Sequence, residues 1–474
     1  MLPAGGVLAI AIGYGMLWSY LHSDTFRRFL SAEASEKAGV VGEFAPFRWD
    51  GLAVETESFQ AAGEGLVAEV QATGLHTEIG LGGLPRGVWE IRGANIRRLH
   101  VSLDASRSTD EGVKDEVRRK VDKHSKRPSW LPAEVELQGM EIRDFGLKTQ
   151  LAGGWLKAGG IRVHAEPSGA RQGYRAELSG GSVHLPFQKI PEIRLDRALL
   201  RYQDGRLFLT TAKLGAWEGA RIEAAGEMDM PSRRFSLEGD VSGIQCADLL
   251  SGDWAKRLTG HGTSTFKLDN SGGSFFAEGD LVIHDGVLTA LPVLDALAAY
   301  ADTRRFRLLT LHDARTHWEW RPGEISLKNL VLASEGLVRL EGSMVIRGNE
   351  MDGTFRLGIA PGTLTTLPGA ETDVFLPGER GLLWTTVRVT GNPDHPKEDL
   401  TERLITAAGI RMLEKMPEVS EAVIQALGGR SPAILEKGTK ILGQGSRTAL
   451  GVGILLDGIL GGERKQEAPP VEEP

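Results

Sequence analysis

One cysteine in 474 residues excludes an internal disulfide, and Cys246 alone cannot furnish a thiolate zinc site. Aromatic residues are scarce at 6%, which disfavours a sugar-stacking cleft. Positive charge is short as well. The 55 Lys and Arg against 63 Asp and Glu leave a net charge of −8, whereas binding a phosphate backbone needs a basic surplus, so the reading is of no nucleic-acid partner. Motifs that carry chemistry are missing too. Gly-Lys never occurs, so there is no P-loop, and neither H-E-x-x-H nor G-x-S-x-G is found. Gly443-Gln444-Gly445 runs into Ser-Arg-Thr and fails the dinucleotide fingerprint. The nearest histidines, His312 and His317, stand five apart, on opposite faces of a strand. No catalytic, cofactor-binding or metal-ligating set emerges, and the chain reads as a non-enzyme without cofactors.

Glycine is abundant instead: 61 residues, nearly twice the usual share of about 7%. Residues 2–21 hold no Asp, Glu, Lys or Arg, and twenty helical residues span about 30 Å, a bilayer's hydrocarbon core. Trp18 and Tyr20 sit at the far end, where aromatic rings favour the headgroup zone. The Ala32-x-Ala34 pair lies more than ten residues past the run, and no basic residue precedes it, so an uncleaved transmembrane anchor is expected over a cleaved signal. Arg27, Arg28 and Lys37 follow the span, and the positive-inside rule taken alone puts the body in the cytoplasm.

From about residue 49 to 391 the pattern alternates with period two and is punctuated by glycine. Ile193 and Leu195, Leu200 and Tyr202, then Leu207 and Leu209 read as strand, strand, turn, strand, with the turn at Asp204-Gly205. Asp285-Gly286 and Asp352-Gly353 give the same hairpin signal. Residues 107–127 break the pattern with eight Lys or Arg against five acids, read as a solvated surface insertion. Pro292 opens a helical spacing through Ala301, and after Pro396 the chain turns helical, with Leu400, Leu404, Ala407 and Ala408 on one face. The expected organisation is an anchor at 1–23, a helix with the first strands at 24–103, the insertion at 104–132, and a central β region at 133–273. A second β region at 274–396, helices at 397–462 and an acidic disordered tail at 463–474 complete it.

The order of elements then carries a resemblance. The stretches GDLVIHDGVLTALPVLDALAAYADTRRF and GEISLKNLVLASEGLVRLEGSMVIRGNEMDGTFRLGI, closing with VTGNPDHPKEDL, resemble the C-terminal region of the AsmA family. Asp285-Gly286, Leu291-Pro292, Ser334, Gly342, Asp352 and Gly391 to Pro393 stand at the family's positions, and the similar stretch covers residues 274–400. The resemblance implies an inner-membrane envelope protein with its body in the periplasm, related to bridge-like lipid transfer proteins and not known for catalysis. The fold expected is mainly β: an elongated, twisted antiparallel sheet forming a groove, with an N-terminal transmembrane helix and a C-terminal helical segment. Phospholipid acyl chains are the expected cargo, in outer-membrane biogenesis or lipid homeostasis. The C-terminal helices are expected to cap the far end of the β-body, to touch a second membrane, or to meet an envelope partner. In-phase apolar positions Val135, Leu137, Ile142, Leu207, Leu209, Phe235, Leu237, Ile283 and Val287 are the expected groove lining. The competing reading is a non-catalytic envelope scaffold with a closed β-core.

Overall fold

The computed structural model describes residues 15–104, 106–107, 131–132, 134–151, 154–169, 173–186, 190–250, 254–270, 274–289, 308–393 and 395–414. The described residues are mainly β, 63% of them in strands. Of the expected anchor only residues 15–23 are described, of which 15–21 are helical, and no helix among the described residues is long and apolar enough to cross a membrane. The body of the charged insertion, the helix expected from Pro292, and the helices and tail expected after residue 414 lie outside the described residues. What is described falls into two compact units. The first lies within Met1–Leu288, Thr310–Leu332 and Ser343–Glu350, the second within Thr289–Leu309, Ala333–Gly342 and Met351–Pro474.

Helix α1 (Asp24–Ala38) opens the first unit. Ser23 caps it by accepting the Phe26 N–H, Asp24 and Lys37 suit the two ends of its dipole, and Gly39 stops it at φ +67°. Strands follow: β1 (Val41–Phe44), β2 (Arg48–Asp50), β3 (Ala53–Ala62), β4 (Val67–Gly80), β5 (Val88–Leu103), β6 (Glu134–Leu137), β7 (Met140–Leu151), β8 (Gly154–Pro167), β9 (Tyr174–Ser179) and β10 (Ser182–His184). Next come β11 (Ile193–Gln203), β12 (Arg206–Ala216), β13 (Ala220–Asp229) and β14 (Arg234–Gln245). Short helices α2 (Cys246–Leu249) and α3 (Trp254–Arg257) lead to β15 (Leu258–Asp269), β16 (Phe276–Leu288), β17 (Leu309–Leu311) and β18 (Asp313–Arg321).

Neighbours in this sheet are mostly neighbours in sequence, and antiparallel, as a meander requires. One junction corrects the all-antiparallel expectation: β5 runs parallel to both β6 and β7. Parallel neighbours cannot be joined by a tight turn and need a crossover of a dozen or more residues. Residues 104–133, which contain the charged insertion, supply that length. From β1 and β2 to β18 the ladder advances about 4.8 Å per strand, roughly 60 Å in all.

Three details of the hairpin reading resolve differently. Ile193 to Gln203 is one strand, not two; register shifts at Leu195/Arg197 and Leu199/Leu200 let the apolar side chains change phase without a turn. Asp204 (φ 51°) and Gly205 (φ 77°) do form the tight turn into β12. Asp285-Gly286, by contrast, lies inside β16 as a bulge opposite Gly260, and Asp352-Gly353 lies inside a strand, paired with Thr390 and Val389.

Strands β19 (Glu324–Ser334) and β20 (Val338–Arg347) lead on to β21 (Glu350–Ile359), β22 (Leu376–Pro377), β23 (Leu383–Asn392), β24 (His395–Glu398) and α4 (Leu400–Glu414). In the second unit β23 pairs with β21, β22 and β24. Leu400, Leu404, Ala407 and Ala408 of α4 are buried, as their helical spacing predicts, and Glu398 accepts the N–H groups of Leu400 and Thr401 at its start. Phe355, Leu357, Ile359, Leu364, Phe375 and Trp384 complete the unit's core.

Candidate functional site

The first unit's sheet has two chemically opposite faces, and the registers show it directly. Thr56, Leu75, Ile96, Ile142, Val163, Leu178, Ala198, Ala212, Ala224, Gly239 and Phe266 are successive cross-strand partners from β3 to β15. One residue out of phase, the row Glu55, His76, Asn95, Glu141, His164, Glu177 is polar throughout. Side chains on one face of a sheet share a phase, so the apolar row is continuous across the ladder. Leu75, Ile96, Val163, Leu178 and Phe266 in that row remain only half-buried. Ala198, Ala212 and Ala224 in the same row are buried, and Val163, Leu178 and Phe266 pack against the cluster they belong to.

At the β3 to β6 end, α1 covers the stripe. The helix is fastened over the sheet by its own polar side chains. Ser31 accepts the Phe44 N–H at 3.0 Å, Ser35 accepts that of Gly42 at 3.0 Å, and Arg27 donates to the Phe44 carbonyl at 2.6 Å. Between helix and sheet lies a cavity of about 530 Å³, walled by Leu30 and Ala34 of α1 and by Phe44, Phe47, Val54, Leu75, Ile79, Ile91, Ile96, Val135, Leu137 and Met140. Its polar lining is Glu33, Lys37, Thr56, His76, Thr77 and Asn95. Glu33 and Lys37 pair at 3.4 Å, and Lys37 also donates to the Val135 carbonyl. Such a space suits an apolar ligand with one polar end.

Behind the cavity the sheet is closed by a buried cluster of Leu21, Phe26, Phe29, Val54, Ile79, Trp89 and Leu131. Beside Trp89, Glu90 bonds Arg92 and Arg86, each at 2.8 Å. The Arg92 hydrogen bond, then Arg86 and both positive charges, hold the Glu90 carboxyl below the usual carboxylate range, against the opposing effect of its burial. A folded-state pKa below the unfolded one contributes stability at neutral pH that is lost as pH falls through the folded value. The urea midpoint is therefore expected to fall more steeply below about pH 4.3 in the parent chain than in Glu90→Gln. Parallel acid limbs for the two proteins would refute this role of Glu90.

Of the nine expected lining residues, Val135 and Leu137 wall the cavity and Ile142 belongs to the apolar row. Leu207, Leu209, Phe235 and Leu237 lie in phase with that row on β12 and β14, and Ile283 opposes Gly262 on the same face. Val287 does not share it. The bulge at Asp285-Gly286 shifts the phase, and Val287 pairs with exposed Thr259 on the polar face. Sequence reasoning missed Leu75 and Ile96, because Gly74 (φ 65°) and Gly93 (φ 58°) interrupt the alternation just before them. It also missed Leu30 and Ala34, although their spacing of four places both on one face of α1. Cys246 is buried, and burial pushes its thiol pKa up, as for a packing residue. No protein-family model matches the chain, and neither a curated protein nor a solved structure matches it.

Proposed function

We propose that this chain is a membrane-anchored, lipid-handling protein of the cell envelope whose apolar sheet face binds acyl chains, and that it is not an enzyme. The observation that carries the reading is the continuous apolar row, half-buried at Leu75, Ile96, Val163, Leu178 and Phe266, which ends in the cavity under α1. At about 530 Å³ the cavity falls within the roughly 300–1,000 Å³ range of ligand pockets. Burial of each methylene contributes about 0.8 kcal/mol, so one acyl chain supplies a driving force that a polar metabolite could not find on these walls. The resemblance to the AsmA family supports the same reading, together with an inner-membrane anchor at residues 2–21 and a periplasmic body. The basic residues just after the span argue for the opposite orientation.

Two measurements test the proposal. Native mass spectrometry of the full chain, released from detergent, is expected to show phospholipid or fatty acid at about one or more per chain. A lipid-free protein would replace this reading with that of an envelope scaffold. A reporter that is active only in an oxidising compartment, fused after Gly391, is expected to be active; activity of a cytoplasmic reporter alone would overturn the topology.

A further inference from the structure

The polar face carries a cluster that the lipid reading does not use. In the register of β16 with β18, Glu278 stands directly opposite Glu319, and Asp280 opposite His317. Like charges directly opposite destabilise a sheet unless a cation lies with them. Lys328 bonds Glu319, and Glu278 has Lys267 of β15 as its register partner on the other side, so lysines already stand beside both carboxylates and a metal would have to compete with them. His317 Nδ1 lies 3.0 Å from Asp280 Oδ1, so Nδ1–H donates to that carboxylate, and Nε2 lies 3.8 Å from Glu319 Oε1. One donor atom each from Glu278, His317 and Glu319 lies within 4.8 Å of the other two. A carboxylate that orients the far nitrogen of an imidazole is the usual outer partner of a metal-bound histidine. Glu278, Asp280 and His317 also line a shallow cavity of about 610 Å³, with Glu223, Glu238, Asp240 and the single lysine Lys267 on its other walls.

We propose that Glu278, His317 and Glu319 bind a divalent first-row transition metal, with Asp280 as a positioning residue. One imidazole and two carboxylates form an N/O donor set of the zinc class and leave a fourth position open. Zinc lies about 2.1 Å from such donors, which requires them about 3–4 Å apart, so the cluster needs to close by roughly an ångström while Lys328 swings off Glu319. The bound ion clasps β16 to β18, which are joined in sequence only through the long connection after Leu288. The pattern was invisible to a search for paired histidines. It is built from His317 and Glu319 two apart on one strand and Glu278 from another.

Zn²⁺ titrated by calorimetry into the chelator-stripped full chain is expected to bind at one equivalent. His317→Ala and Glu278→Gln are expected to weaken it more than tenfold, and Asp280→Asn by about 10- to 100-fold. His164→Ala, at an exposed histidine on the same face, should bind as the parent does. Circular dichroism confirms that each variant is folded, and saturating Zn²⁺ should raise the Tm of the parent but not of His317→Ala. The absence of stoichiometric Zn²⁺ binding by the parent overturns the proposal, as does equal affinity in the parent and a folded His317→Ala.

Discussion

If the proposed acyl chain occupies the cavity beneath α1, Ile91→Asp combined with Leu137→Asp is expected to expel it while leaving a folded protein. The two residues are register partners on β5 and β6, both half-buried, and both wall the cavity beneath α1. Sixteen methylenes at about 0.8 kcal/mol each give an acyl chain roughly 13 kcal/mol of gross burial energy, of which ordering and desolvation leave only a part. Two carboxylates facing that chain each lose hydration worth several kcal/mol, and about 1.4 kcal/mol suffices for each tenfold loss of affinity. Lipid recovered per chain, read by mass spectrometry after mild detergent extraction, should therefore fall at least tenfold. Because neither site is fully buried, the carboxylates keep access to water when the cavity is empty, and the fold tolerates them. Glu141→Ala, on the polar row, should keep the parent's lipid content. Undiminished lipid in the folded double variant would mean that acyl chains bind elsewhere or only at the anchor.

Much of this sheet is legible in the sequence, and the rest is hidden for definable physical reasons. Period-two alternation and glycine punctuation identify the strands, and Asp204-Gly205 identifies its own turn, because little else accepts two successive positive φ angles. Asp285-Gly286 carries the same two letters yet makes a bulge, since its flanking strands continue to pair with β15 on either side. Local sequence encodes the left-handed backbone and not what the neighbouring strand does with it. The same limit explains Val287: a one-residue insertion moves every later side chain to the other face, and nothing within residues 276–288 announces it. Glycine excess has a clearer origin. A Cβ on Gly239 would stand 2.1 Å from the Glu223 carbonyl oxygen, and one on Gly279 would stand 1.9 Å from that of Thr265, so adjacent strands approach too closely there for any side chain. Composition recorded that requirement without saying where it applied. The parallel step at β5 needed knowledge of which strands meet, which only the charged insertion's length hinted at.

Trp89 offers the sharpest test of how the helical end of the sheet is held. The residue is fully buried, with Phe26 edge-on at 5.2 Å and Tyr20 stacked at 6.5 Å between ring centroids, so it ties α1 and the helical residues 15–21 to β5. Its indole Nε1 has no hydrogen-bond partner among the described residues. Two opposing terms follow. Removing the ring in Trp89→Ala forfeits transfer energy and leaves a cavity, together about 3–5 kcal/mol. Trp89→Phe keeps most of the aromatic packing with Phe26 and deletes a buried donor whose desolvation costs about 1–3 kcal/mol. The smaller void left by phenylalanine is offset by that relief. Urea unfolding followed by circular dichroism should place Trp89→Phe within about 1 kcal/mol of the parent, with Trp89→Ala well below both. If phenylalanine proves as damaging as alanine, the indole N–H contributes to stability, and the helix is held at this point by a polar contact and not by ring packing alone.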